Sequence, residues 1–305
     1  MSNGFLFLLV TATIVAAWST TSAQAAGADP PIAAPIRIAL LSDTHSSLAA
    51  DKASYDIHFE SVIDEVNAAH VDGVLIAGDL TQGGKPAEIA DFASRVRRFA
   101  VAPRYVFGNH DVGGKHIPSE AGGVTSARVQ SFESKLGPAF WATTVGNGPS
   151  AIRVIGFTGS LLGSGLQKES DQWRFLEAKL AEPNAPRTLL LLHYPLFLKT
   201  ADESGGEYWN LEPEPRKRLL TLIDGPNSHV IGVLSGHLHR ALEIRYRAIP
   251  LITTPPVSFG LPAGKQPEGW TLLTVSADGH ISTEFHAVAA PEPPAAPPNP
   301  RTPHL

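Results

Sequence analysis

Apolar residues along this chain fall into short runs separated by amphipathic stretches. Ile36-Arg37-Ile38-Ala39-Leu40-Leu41 reads as a buried strand, and residues 57–69 follow with Ile57, Phe59, Val62, Ile63 and Val66 at helical spacing. The run at 74–77 reads as the next strand, a helical stretch at 87–99 follows, and 104–107 is strand again. Further on, strands are expected at 152–157, 188–192, 230–234, 251–254 and 271–275, with helices at 169–180 and 215–223. This alternation predicts an α/β layered domain rather than an all-β one. No repeat of fixed period is present.

The two ends differ from this pattern. An apolar run from Phe5 to Trp18, then Ser and Thr residues, then Ala23-Gln24-Ala25 predicts a secretory signal peptide over residues 1–25. The run is shorter than the ~20 apolar residues of a spanning helix, so the expected state is export to the periplasm or beyond, with no stable membrane insertion after cleavage. Residues 26–35 carry three prolines and read as a linker, and the folded domain is expected over 36–289. Residues 290–305, dominated by proline and alanine, read as a disordered tail.

Composition narrows the chemistry. A net charge of -5 without a block of Lys or Arg gives no electrostatic footprint for nucleic acid or an anionic membrane. With no cysteine among 305 residues, disulfides, thiolate zinc sites and cysteine nucleophiles are excluded, so any metal must be held by His, Asp, Glu or Asn.

Five segments place such residues directly after an apolar run, where a strand ends and a loop begins. They are Leu41-Ser42-Asp43-Thr44-His45, Ala77-Gly78-Asp79-Leu80, Phe107-Gly108-Asn109-His110-Asp111, Leu192-His193-Tyr194 and Ser235-Gly236-His237-Leu238-His239. In layered α/β folds such loops gather at one edge of the sheets. On an extended backbone Asp43 and His45, and likewise His237 and His239, project to one side and reach one site or two adjacent ones. Gly78, Gly108 and Gly236 precede the ligands, which suits a sharp turn or a close approach of backbone to ions and phosphate. His58, His70, His116, His229, His280, His286 and His304 carry no motif and read as surface or packing residues.

The ordered set D-x-H, G-D, G-N-H-D, H and G-H-x-H resembles the calcineurin-like metallophosphoesterase superfamily, with every element present from Asp43 to His239. The resemblance implies a four-layer α/β/β/α sandwich of two mixed sheets. It also implies two divalent or mixed-valence ions, one held by Asp43, His45, Asp79 and His239 and the other by Asp79, Asn109, His193 and His237. The donor set suits manganese, iron or zinc. His110 is expected to protonate the departing alkoxide or to donate a hydrogen bond to the phosphoryl group, with Asp111, counted with it as catalytic, or an unplaced carboxylate as its orienting partner. Position 82 is Gln, where purple acid phosphatases carry a ligating tyrosine and phosphoprotein phosphatases an orienting aspartate, which sets the chain apart from both.

A narrower likeness lies in His193-Tyr194-Pro195-Leu196-Phe197, the acidic stretch before Tyr208 and Asn210, and Arg216-Lys217-Arg218. These are similar to the calcineurin-like phosphoesterase domain-containing proteins, some of which act on phosphoserine or phosphothreonine. The function this implies is a metal-dependent phosphomonoesterase acting on a small molecule or a phosphoprotein. Two other readings stand beside it: a phosphodiesterase, including one for cyclic nucleotides, and a non-catalytic metal-stabilised binding module.

Overall fold

The computed structural model describes residues 34–116 and 123–288. The expected signal peptide, most of the linker and the proline-rich tail lie outside the described residues. Two sheets carry the fold. The first has the order β11-β10-β1-β2-β3, built from β1 (Ile36–Leu41), β2 (Gly73–Ile76), β3 (Arg104–Tyr105), β10 (Gly269–Val275) and β11 (Ile281–Ala287). Strands β1, β2 and β3 run parallel, and β10 and β11 add antiparallel to one side. The second sheet has the order β4-β5-β6-β7-β9-β8, from β4 (Phe140–Val145), β5 (Ile152–Phe157), β6 (Thr188–Leu191), β7 (Val230–Ser235), β8 (Leu242–Tyr246) and β9 (Ile249–Thr253). Strands β5, β6, β7 and β9 are parallel, with antiparallel β4 and β8 at the edges.

The layering follows from the two-residue side-chain period of strands. In β1, Ile36, Ile38 and Leu40 face one way and join Leu189 and Leu191 of β6, Val154 of β5 and Leu234 of β7 in a core between the sheets. Ala39 and Leu41 face the other way, onto Phe59, Val62 and Ile63 of α1 (Ala53–Ala68) and Ile89 and Phe92 of α2 (Pro86–Arg95), with Phe132 of α4 (Ser126–Leu136) in the same cluster. On the far side, Leu190 of β6 and Val233 of β7 pack on Trp173 and Leu176 of α5 (Gln167–Leu180) and Leu219 and Ile223 of α6 (Pro213–Ile223). The result is the expected four layers, helices outside two mixed sheets. Each fully buried Leu, Ile or Phe in them contributes roughly 1.5–3 kcal/mol from area removed from water.

Several elements differ from the sequence reading, for identifiable reasons. Strands β4, β8 and β11 were not expected; each lies at a sheet edge and mixes half-buried with exposed positions, and none carries a continuous apolar run. In α1 the buried stripe is His58, Phe59, Val62, Ile63 and Val66, while Ile57 is 52% exposed. His58 takes the inward place because its ring has polar partners there, the Ser258 carbonyl at 3.2 Å and the Glu268 carboxylate at 3.1 Å. No helix among the described residues is long and apolar enough to cross a membrane.

Candidate metal centre

Five parallel strands, β1, β2 and β3 of one sheet and β6 and β7 of the other, end at the same edge, and every candidate ligand lies in the segment just beyond one of them. Asn109 and His110 open the one-turn helix α3 (Asn109–Val112). Backbone hydrogen bonds lace these ends together: Asp43 N–H to Gly78 O at 3.0 Å, His45 N–H to Asp79 O at 3.0 Å, and Gly236 N–H to His193 O at 3.0 Å.

The side chains converge by a route that the two-residue spacing did not predict. Asp43, His45, Asp79, His237 and His239 all sit in the left-handed region, with φ of 52°, 46°, 49°, 71° and 51°, and none is in a strand. Each such non-glycine residue costs roughly 1–3 kcal/mol. Their inward aim comes from these turns, not from extended backbone.

Two groups result, sharing one carboxylate. Asp43, His45, Asp79 and His239 form the first, and Asp79, His193 and His237 the second, with the ligating atoms of each group within 4.8 Å of one another. In the first, His239 Nε2 is 3.3 Å from Asp43 Oδ1 and 3.2 Å from His45 Nε2, and His45 Nε2 is 3.7 Å from Asp79 Oδ2. In the second, His193 Nε2 lies 3.2 Å from Asp79 Oδ2, 3.1 Å from His237 Nδ1 and 3.0 Å from Asn109 Oδ1, which adds Asn109 to the group. All seven expected ligands are therefore in one place.

The electrostatics of the site fit cations. Asp43 and Asp79 are buried, and their ion-pair partners among the described residues are histidines. Burial works to raise the Asp43 carboxyl, but the charge of His239 and the hydrogen bond from it hold it below the usual carboxylate range. Asp79 is held down in the same way, burial being outweighed by His193 and then His45. Burial also opposes charge on His193, yet Asp79 and then Asp43 raise that ring to about 9, while burial pushes His45 and His237 down to about 3.

Backbone carbonyls fix the tautomers. His193 Nδ1–H donates to Ala77 O at 2.7 Å, His239 Nδ1–H to Phe259 O at 2.6 Å and His237 Nε2–H to Tyr208 O at 3.2 Å, which leaves the opposite nitrogen of each ring facing the group. Once free of a proton, each of those nitrogens offers a cation its lone pair. Asp43 Oδ1 is buried with imidazole nitrogens beside it and no backbone or hydroxyl donor, a further mark of a site completed by something positive.

The glycines serve the site by making room for other ligands. A Cβ at Gly78, whose φ is +92°, would stand 2.7 Å from His193 Nδ1. At Gly108 it would overlap the Asp79 carboxylate, and at Gly236 it would overlap Ser42 and come within 2.7 Å of Asp43 Oδ2. Gly108 itself is extended, at φ -99°, so its role is space rather than turning. Gly108→Ala is expected to displace Asp79 and lower metal affinity by at least ~10-fold, beyond an overpacking cost of about 1–3 kcal/mol. Calorimetric metal titration of the variant checks this, and wild-type affinity in a folded variant would contradict the interlock.

Three residues around the centre depart from expectation. Asp111, expected as the partner of His110 or as a catalytic group, is fully buried and makes no hydrogen bond to that ring. Its carboxylate accepts from Leu80 N–H, Thr81 N–H, Thr81 Oγ1–H and Gly108 N–H, tying the β2 and β3 loops together. Burial and then the Asp79 charge push it up to about 6 against those donors. His110 is instead oriented by the backbone of Gln82, whose carbonyl lies 2.8 Å from Nδ1, while the His110 N–H donates to Asp79 Oδ1 at 2.9 Å. A side-chain partner at position 82 is unnecessary when the main chain supplies the acceptor. Tyr208, noted in the sequence only within a likeness, stands over the second group: its hydroxyl accepts from Asn109 Nδ2 at 2.9 Å.

Tyr194, by contrast, is a packed ring, 1% exposed, with its centroid 4.4 Å from that of His237. Lys115, nearly buried, holds the Tyr208 segment by donating to Glu207 O and pairing with Glu212, each at 2.5 Å. Nothing in the local sequence around Lys115 signals that role, because its partners lie far along the chain.

Comparison with known proteins agrees with this geometry. The calcineurin-like phosphoesterase family model matches residues 36–241. The chain is 24% identical over 277 residues to 3',5'-cyclic adenosine monophosphate phosphodiesterase CpdA of Vibrio vulnificus, covering 84% of this chain and 91% of that protein. It is 27% identical over 213 residues to serine/threonine-protein phosphatase CPPED1 of Homo sapiens, covering 67% of this chain and 64% of that protein. Among solved structures, a dimetal phosphatase from Danio rerio shares the fold with a TM-score of 0.57 at 11% identity, covering 84% of this chain and 97% of that one. The chain belongs to the calcineurin-like phosphoesterase family of metal-dependent hydrolases.

Proposed function

We propose that this chain is a phosphomonoesterase with a dinuclear centre, held by Asp43, His45, Asp79 and His239 on one side and by Asp79, Asn109, His193 and His237 on the other. The observation that carries the centre is the pair of buried ligand groups sharing Asp79. Manganese, iron or zinc suits the all-nitrogen-and-oxygen donor set. When bound, the ions neutralise phosphoryl charge and lower the pKa of water enough for it to attack phosphorus.

The chain's own residues do the rest. His110 is fixed through Nδ1–H by the Gln82 carbonyl, so as an imidazolium it can give its Nε2 proton to the ester oxygen as the P–O bond breaks and be left as the neutral Nδ1–H ring. The ring packs edge-on to His45 with centroids 4.6 Å apart, which places that proton beside the first ligand group. Tyr208 accepts from Asn109, and its hydroxyl hydrogen remains to donate to a phosphoryl oxygen. Monoester chemistry is supported by where the phosphatase-like stretch lies. The segment from His193 to Arg218, similar to phosphatases of this family, forms the wall that carries Tyr208 and Trp209 over the site.

A second reading, phosphodiester hydrolysis, rests on the Vibrio vulnificus relative, named a cyclic-AMP phosphodiesterase and matched over most of its length. On the N-terminal segment alone, the same proposal places the enzyme in the periplasm or outside the cell.

The test is hydrolysis of phenyl phosphate and of diphenyl phosphate by the purified chain supplied with manganese, iron or zinc, before and after chelation. Monoester turnover that chelation removes and metal restores supports the proposal. A preference for the diester promotes the second reading, and no metal-dependent turnover of either ester by folded, metal-loaded protein overturns both.

A further inference from the structure

Beside the metal centre is a cavity of about 380 Å³ lined by Leu198, Trp209, Leu238, Arg240, Leu261 and Pro262. It is continuous with the ligand loop. Leu238 separates His237 from His239 in the chain, and Arg240 follows directly. The Leu261 N–H donates to His239 O at 2.9 Å, and the Trp209 ring centroid is 5.7 Å from that of His237. Trp209 is 37% exposed, an indole left partly open to water at the mouth of the site. Arg240 has neither an ion pair nor a side-chain hydrogen bond among the described residues, unlike Arg245, which donates to Ala248 O, or the paired Arg216.

An apolar cavity with one indole and one uncommitted guanidinium, adjoining a phosphate-binding centre, has the make-up of a ligand pocket. We infer that it receives the alcohol portion of the substrate, and that this portion is a flat aromatic ring carrying an anionic or hydrogen-bond-accepting edge. Trp209 supplies a planar face for the ring, the leucines and Pro262 supply apolar walls, and Arg240 pairs with the acceptor edge. The inference rests on the phosphoesterase reading above and adds the substrate class to it.

Phenethyl phosphate, its para-carboxylate derivative and n-propyl phosphate test it, because their alcohols are of similar acidity and differ in what they offer the pocket. The expected order of kcat/KM is para-carboxylate, then phenethyl, then propyl, with the aromatic ester ahead of propyl by roughly 10-fold or more. Trp209→Ala is expected to bring the phenethyl-to-propyl ratio close to one, and Arg240→Gln to remove the advantage of the carboxylate while leaving the phenethyl-to-propyl ratio. Equal kcat/KM for all three esters, or a Trp209→Ala loss of the same size on each, would overturn the assignment. The corresponding phosphonates, titrated calorimetrically against the metal-loaded chain, read the same preference without turnover. Lack of hydrolysis thus counts against the phosphoesterase reading, and lack of preference among the phosphonates counts against the pocket.

Discussion

Asp79→Ala is expected to lower kcat/KM for any phosphate ester by at least ~10³-fold, more than loss of a single electrostatic donor usually costs. Among the described residues no other side chain belongs to both ligand groups: Oδ2 lies 3.7 Å from His45 Nε2 and 3.2 Å from His193 Nε2. Its second oxygen also accepts the His110 N–H at 2.9 Å, so the substitution loosens the acid as well as the metals. Elemental analysis should find the variant depleted of both ions, whereas His239→Ala, which touches only the first group, should keep one. Added metal should raise the Tm of wild type and not of Asp79→Ala, since a ligand stabilises only the state that binds it. A variant that retains two ions per chain and hydrolytic activity would remove the shared-bridge assignment.

His110→Ala is expected to lower kcat by roughly 10²- to 10⁴-fold with metal content unchanged, because the imidazole is a ligand in neither group. The size of the loss should track the leaving group. An alkyl phosphate needs a proton at the departing oxygen and should suffer most, while p-nitrophenyl phosphate, whose leaving group is stable as an anion, should suffer least. Rates of wild type and variant across a series of phenyl and alkyl phosphates measure this directly. A loss independent of leaving-group acidity would make His110 a positioning or charge-stabilising residue rather than the proton donor.

Much of the site was legible because its chemistry is local in sequence. Each ligand motif follows a short apolar run, and runs of that length bounded by glycine and polar residues read as buried strands. The ordered motifs from Asp43 to His239 therefore point to the right loops before any contact is known. Other features could not be read this way. The edge strands β4, β8 and β11 owe their conformation to hydrogen bonds with a neighbour, not to an apolar pattern of their own. Asp111 looked catalytic by adjacency to His110, but a carboxyl one residue along a helix points about 100° away, and here that direction leads to the Leu80 and Thr81 amides.

Taken alone, the chain's residues determined the α/β class, the strands and helices with strong apolar periodicity, the family, and the seven side chains proposed as metal ligands. Those properties depend on residue type and short-range order. Only the tertiary structure decided how the centre is held: left-handed backbone at five ligands, glycines that leave room for ligands of other loops, main-chain carbonyls of Ala77, Gln82, Tyr208 and Phe259 that set the histidine rings, and Lys115 anchoring the Tyr208 wall. Each of these is a contact between segments distant in the chain, and a backbone carbonyl is present at every residue, so its use leaves no mark in the sequence.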